Sequence, residues 1–164
     1  MALQLNPWRR TLQLTACLGL LCGCTDSKSG DTTSPDSGAA PPLEACRMSP
    51  SVGSGDRFDS ARERFTITLA DLEPPTPSIG DNSWQIAVRD ANAEPASDAS
   101  LSFSLWMPEH AHGSLKTVLI EPLGEGAYLA APLSFHMPGV WEVTITLESP
   151  NASDRLVFTT CVVP

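Results

Sequence analysis

Apolar and polar residues alternate with a period of two through most of the chain beyond residue 60. Phe65-Thr66-Ile67-Thr68-Leu69 alternates, as do Trp84-Gln85-Ile86-Ala87-Val88 and Leu101-Ser102-Phe103-Ser104-Leu105. The longest run is Trp141-Glu142-Val143-Thr144-Ile145-Thr146-Leu147, with four apolar residues on one face and polar residues on the other. Successive side chains of a strand point to opposite faces, so this pattern predicts strands with one buried and one wet face. Residues 116–123, 127–135 and 155–163 add further runs, giving about seven short strands. Between them stand the turn formers: residues 73–77, 78–82, 90–99, 124–126, 137–139 and 149–153, rich in Pro, Gly, Asn and Asp. The expected fold class is all-β, an antiparallel β-sandwich of about seven strands, immunoglobulin-like in architecture. Residues 60–64 are the one place in the domain where a short helical turn fits.

The first residues follow a different rule. A short basic stretch ends in Arg9-Arg10, and residues 11–23 form an apolar run of thirteen. That is short for a membrane-spanning helix and right for the apolar region of a secretory signal. The run ends Leu21-Cys22-Gly23-Cys24, an apolar residue at −3, a small one at −1 and Cys at +1, as in a bacterial lipobox. Cys24 is the expected lipidated first residue. Cys17 and Cys22 fit less well, and a plain signal peptide or an uncleaved anchor is the alternative. Residues 1–23 are thus expected to be a lipoprotein signal peptide. Residues 24–43, rich in Ser, Asp, Gly and Pro, form a tether that cannot bury a core. Residues 44–164 are left as the folded domain.

With Cys24 carrying lipid, Cys46 and Cys161 remain as an even pair in an oxidising compartment. A disulfide between them joins the two ends of the domain; two free thiols or two metal ligands are the alternatives. Their spacing is too wide for the inter-sheet bond of antibody domains. Composition then narrows the function. Ten Lys and Arg against nineteen Asp and Glu give a net charge of −9, which supplies no basic stripe for nucleic acid. The familiar catalytic signatures, among them G-x-S-x-G, the P-loop and H-E-x-x-H, are absent from the sequence.

One constellation stands out. The three histidines are His110, His112 and His136, and two of the four methionines, Met107 and Met137, lie in the same two segments. The segments read Met107-Pro-Glu-His-Ala-His-Gly113 and His136-Met-Pro-Gly139, each after an expected strand. In extended backbone His110 and His112, at i and i+2, share a face. His136 and Met137, being adjacent, point to opposite faces unless the Pro138-Gly139 turn rotates them. Imidazole together with thioether suits copper, nitrogen favouring Cu(II) and sulfur Cu(I). Zinc takes His but gains little from Met.

Residues 77–147 resemble the YtkA-like domain family, which is related to FixH-type proteins. The resemblance is carried by Ile79-Gly80-Asp81-Asn82, the strand at residues 84–90, Met107-Pro108, His112-Gly113, Gly126-Ala127-Tyr128, Met137, Gly139 and Trp141. His110 stands where the family usually has a second Met, Pro138 lies between Met137 and Gly139, and His136 is an added potential ligand. A Met-to-His exchange keeps a copper ligand and shifts preference toward Cu(II). The resemblance implies an immunoglobulin-like sandwich on the outer side of a bacterial membrane, with copper handling or respiratory-oxidase assembly as its associations. By position it implies Met107, His112 and Met137 as ligands; His110 and His136 are added from their chemistry.

The expected function is therefore a membrane-anchored, extracytoplasmic copper-binding protein of the bacterial cell envelope, facing the periplasm or exterior. It acts as carrier, buffer or assembly factor, is not an enzyme, and works beside a membrane or periplasmic copper protein. The alternative is a structural or protein-interaction sandwich lipoprotein without metal. An enzyme using metal-activated water needs a general base, for which Glu109 is the only candidate inside the loop.

Overall fold

The computed structural model describes residues 42–163. The expected signal peptide, the lipid site at Cys24 and nearly all of the tether lie outside the described residues. A four-residue helix, α1 (Pro42–Ala45), precedes nine strands. They are β1 (Arg57–Asp59), β2 (Phe65–Glu73), β3 (Gly80–Asp90), β4 (Ser100–Met107), β5 (His112–Gly113), β6 (Leu119–Gly124), β7 (Ala127–Phe135), β8 (Gly139–Ser149) and β9 (Ala152–Val162). One sheet has the order β1-β2-β3-β7-β6 and the other β5-β4-β8-β9. Every strand pairing is antiparallel.

The excess over seven strands comes from β1 and β5, which are too short to show a period. The helical turn considered for residues 60–64 does not form. Glu63 there takes a φ of 56° and donates its amide to the Ser60 carbonyl, making a tight turn between β1 and β2. Residues 78–82 are only partly a turn, because β3 already begins at Gly80.

The buried faces are those that the alternation marks. Phe65, Ile67 and Leu69 of β2, Trp84, Ile86 and Val88 of β3, and Trp141, Val143, Ile145 and Leu147 of β8 lie in one core. Aromatic rings join the sheets: Trp84 of β3 lies 6.3 Å from Phe158 of β9, and Phe135 of β7 lies 5.3 Å from Trp141 of β8. Edge strand β6 loses the alternation and is almost wholly exposed. Pro122, which cannot donate to a further strand, caps that edge.

Cys46 and Cys161 are joined in a disulfide with Cα atoms 5.2 Å apart. It holds the segment after α1 alongside β9. Ser51 Oγ donates to the Cys161 carbonyl at 2.7 Å, and the Val52 amide donates to Thr160 Oγ1 at 3.1 Å. This cover explains why Thr160, Cys161 and Val162 are buried in succession where a two-faced strand should alternate.

Among the described residues Asp154 is the one buried carboxylate. Its Oδ2 accepts from Ser60 Oγ at 2.7 Å and from the Arg62 amide at 2.8 Å, and its Oδ1 accepts from the Arg155 amide at 2.9 Å. Burial pushes its pKa up, but the Ser60 hydroxyl and the amides of Arg155, Arg62 and Arg64 outweigh it and hold the carboxyl below the ordinary 3.8. A group with a depressed folded-state pKa stabilises fully above its unfolded pKa. The stabilisation is lost as pH falls through the folded value. Asp154→Asn is thus expected to cost about 1–3 kcal/mol at neutral pH. In urea melts across pH, the gap between wild type and variant should close below pH 3.8. A constant gap would show that the carboxylate charge is immaterial.

Candidate metal centre

The histidine-bearing loops meet at one end of the sandwich. β4 and β5 form a hairpin in which Met107 pairs with His112 and Trp106 with Gly113. Residues 108–111 make the turn, with the His110 amide donating to the Met107 carbonyl at 3.2 Å and Ala111 at a φ of 52°. Residues directly opposite in an antiparallel pair present side chains to the same face. Met107 is fully buried on the inner face, so His112 is aimed inward as well. Gly113 permits the tight closure: a Cβ there would sit 3.0 Å from the Leu105 carbonyl oxygen, which accepts the Ser114 amide at 3.0 Å. Further along, Lys116 Nζ meets Asp81 of the other sheet at 2.6 Å. The hydrogen bond from Lys116, then that from Ser134, holds the Asp81 carboxyl below its ordinary range. Both partners are about half exposed, so the pair orients the loop more than it stabilises the fold.

The second segment is the connection from β7 to β8. β7 ends at Phe135, leaving His136 outside the strand and exposed. Met137 is half-buried against the core, and its carbonyl accepts the Trp141 indole N–H at 3.0 Å. Trp141 is fully buried. These elements bring His112 and His136 to a ring-centre separation of 4.7 Å. His110 stacks on the outer side of His112 at 5.8 Å. Trp141 lies edge-on to both inner imidazoles, 5.8 Å from His112 and 5.3 Å from His136, at interplanar angles of 63° and 76°.

The expectation that His110 and His112 share a face of extended backbone is corrected. The strand stops at Met107, His110 sits in the turn and is exposed, and only His112 is on the inner face. Of His136 and Met137, the histidine joins His112 and the methionine packs toward the core. Met107, at the end of β4, is a core residue. Among the described residues no three His, Cys, Asp or Glu side chains converge closely enough to hold a metal ion. The residues brought together are therefore an imidazole pair and a third imidazole beside it, with Met107 opposite His112 in the hairpin and Met137 next to His136 in the chain, both packed toward the core.

Among the described residues, two buried polar side-chain atoms have no hydrogen-bond partner: His112 Nδ1 and Trp84 Nε1. Trp84 lies in the core between the rings of Phe135 and Phe158, at 6.3 Å from each. His112 Nδ1 lies within the histidine cluster. The residue that sequence reasoning left out of the site is Trp141. Its alternation marked it as core, while its place beside Met137 and Gly139 among the residues that carry the resemblance was the available signal.

The other features of the resemblance hold the fold. Buried Asn82 accepts the Ser78 amide at 3.1 Å and donates to the carbonyls of Ser78, Gly80 and Leu133. Tyr128 is buried and donates its hydroxyl to the Ala96 carbonyl.

No curated protein matches the chain significantly. Among solved structures it is similar to a copper-bound variant of FetP from uropathogenic Escherichia coli, at 11 % identity and a TM-score of 0.47, covering 69 % of this chain and 97 % of that one. It is also similar to the copper-reconstituted P19 protein from Campylobacter jejuni, at 10 % identity and a TM-score of 0.46, covering 69 % and 96 %. The YtkA-like family model matches residues 59–146, more than half of the sequence and all of the histidine-bearing segments, and the chain belongs to the YtkA-like family.

Proposed function

We propose that this protein binds copper outside the cytoplasm, held to a bacterial membrane by lipid on Cys24, and that it carries or buffers the ion or delivers it to a membrane or periplasmic copper protein. The observation that carries the reading is His112 Nδ1, a buried nitrogen without a partner beside a second imidazole. Leaving such a group unsatisfied costs about 1–3 kcal/mol, and a bound ion removes that cost. Two imidazoles sharing one ion through bonds of about 2 Å have ring centres about 5 Å apart. The observed separation is 4.7 Å. Met107, opposite His112, and Met137, next to His136, are the neighbouring thioethers, and imidazole with thioether selects copper over zinc.

The disulfide supports an oxidising compartment. The reading is a binding role rather than an enzymatic one.

Titration of the purified protein with Cu(I) and Cu(II) against competing chelators tests the reading. One ion per chain is expected, bound tighter than about micromolar. His112→Ala with His136→Ala should abolish binding, and His110→Ala alone should weaken it only modestly, because His110 lies outside the pair. Weak, non-stoichiometric binding equal in all variants would leave a protein-interaction lipoprotein as the reading.

A further inference from the structure

Resting on the copper reading above, we infer that Trp141 sets the oxidation state the site accepts: it closes the inner side of the histidine pair so that the site takes Cu(I), and its closed-shell analogue Ag(I), in preference to Cu(II).

The placement of the indole comes first. Exposure falls steadily inward, from His136 at the surface through half-buried His112 to Trp141, which is fully buried. The same indole stands edge-on to both imidazoles, at 5.8 and 5.3 Å, so it is their shared inner neighbour. Phe135, 5.3 Å behind it, leaves it no space to withdraw. Its N–H is spent on the Met137 carbonyl. That bond fixes the ring.

The donor inventory comes second. Cu(II) prefers four nitrogen or oxygen ligands in a tetragonal array, whereas thioether donors select Cu(I). Among the described residues no three His, Cys, Asp or Glu side chains group around one point. Glu142 follows Trp141 and by strand alternation faces the opposite side of its sheet. Met107 pairs with His112 across the hairpin and Met137 follows His136 in the chain, so the other soft donors carried by these segments are thioethers. A site with two imidazoles, soft sulfur and an aromatic wall satisfies a low-coordinate monovalent ion and starves a tetragonal divalent one. His110 then adds nitrogen only from outside, which limits the shift toward Cu(II) expected from its replacing a methionine.

The experiment compares purified wild type and Trp141→Phe, each checked for folding, by chelator competition with Cu(I) and with Cu(II). In parallel, indole N–H signals are followed by NMR as Ag(I) is added to wild type. Wild type is expected to hold Cu(I) about a hundredfold more tightly than Cu(II), and Trp141→Phe to narrow that ratio about tenfold. The Trp141 indole signal should shift on addition of Ag(I), while that of Trp84, whose ring neighbours are Phe135 and Phe158, should not. Equal or tighter Cu(II) binding in wild type, or an unchanged ratio in a folded Trp141→Phe, overturns the inference while leaving copper binding intact. Should Trp141→Phe fail to fold, a silent Trp141 signal at one equivalent of bound Ag(I) overturns it and a shifted one supports it. Absence of stoichiometric binding of either ion overturns this inference and the copper reading together.

Discussion

Replacing Cys46 and Cys161 together by serine is expected to lower the stability of the folded domain by about 3–5 kcal/mol. The bond closes a loop of 115 residues, nearly the whole of the described chain. In the chain-entropy account, a crosslink acts on the unfolded state and its effect grows with the logarithm of loop length, so this bond sits near the upper end of the range. A purely local account predicts less: the bond would only hold α1 and the residues after it against β9. The local contacts decide against that account. Val52 belongs to the core, its amide is tied to Thr160, and Ser51 is tied to the Cys161 carbonyl, so freeing this segment uncovers core at the end of β9. For a domain of this size the loss corresponds to a fall in Tm of roughly 10–20 °C. Thermal melts of wild type with and without reductant, beside the double serine variant, measure it. The reduced wild type and the variant should melt together, well below the oxidised protein. A shift of only a few degrees would restrict the bond to anchoring the N-terminal segment.

The parts of the fold that were legible from sequence are those where one face is buried and the other wet. Residues 141–147 were read correctly because β8 pairs on both sides, with β4 and β9, and turns one face to the core along its whole length. Residues 119–124 were legible only as a run, since an edge strand has little to bury. The start of β3 was hidden by Gly80 and Asn82, turn formers that here serve the strand. Gly80 takes a φ of 108°, and the Asn82 side chain satisfies the backbone groups the bend leaves open. For the histidine cluster, residue types could be read but partners could not. His112 and His136 are 24 positions apart, and only the return from β5 through β6 and β7 brings their rings to 4.7 Å. The i, i+2 rule failed for His110 because it presumes extended backbone, and the tight hairpin ends the strand three residues earlier. Trp141 was invisible as a site residue because a buried tryptophan on a core face has the same sequence signature whether or not it borders a ligand.

Gly126→Ala is the second large effect, expected to cost about 3 kcal/mol or more. It separates the family features that build the fold from those in the histidine cluster. Gly126 has a φ of 74°. A Cβ there would lie 2.5 Å from the Val88 carbonyl oxygen, 3.0 Å from the Ala96 nitrogen and 3.2 Å from Pro95 Cα. All three are backbone atoms, so no side-chain rotation relieves the overlap. The same atoms carry the local hydrogen bonds: the Val88 amide donates to the Gly126 carbonyl at 2.7 Å, and the Ala96 amide donates to the Val88 carbonyl at 3.0 Å. Tyr128, two residues on, donates its hydroxyl to the Ala96 carbonyl. Moving any of these groups to admit a methyl strands a buried donor or acceptor. Gly53 provides the control: its added Cβ meets nothing within 4 Å, so Gly53→Ala should leave stability nearly unchanged. Gly126 stands before the start of β7 and His136 just after its end, about 30 Å apart along an extended strand. Under conditions where Gly126→Ala remains folded, it should therefore bind copper as wild type does. Denaturant midpoints for both glycine variants, followed by copper titration of each, give the answer. A Gly126→Ala protein as stable as wild type would mean that the β3–β7 crossing is looser than these contacts require. A folded Gly126→Ala that has lost copper would mean that the two ends of β7 are coupled.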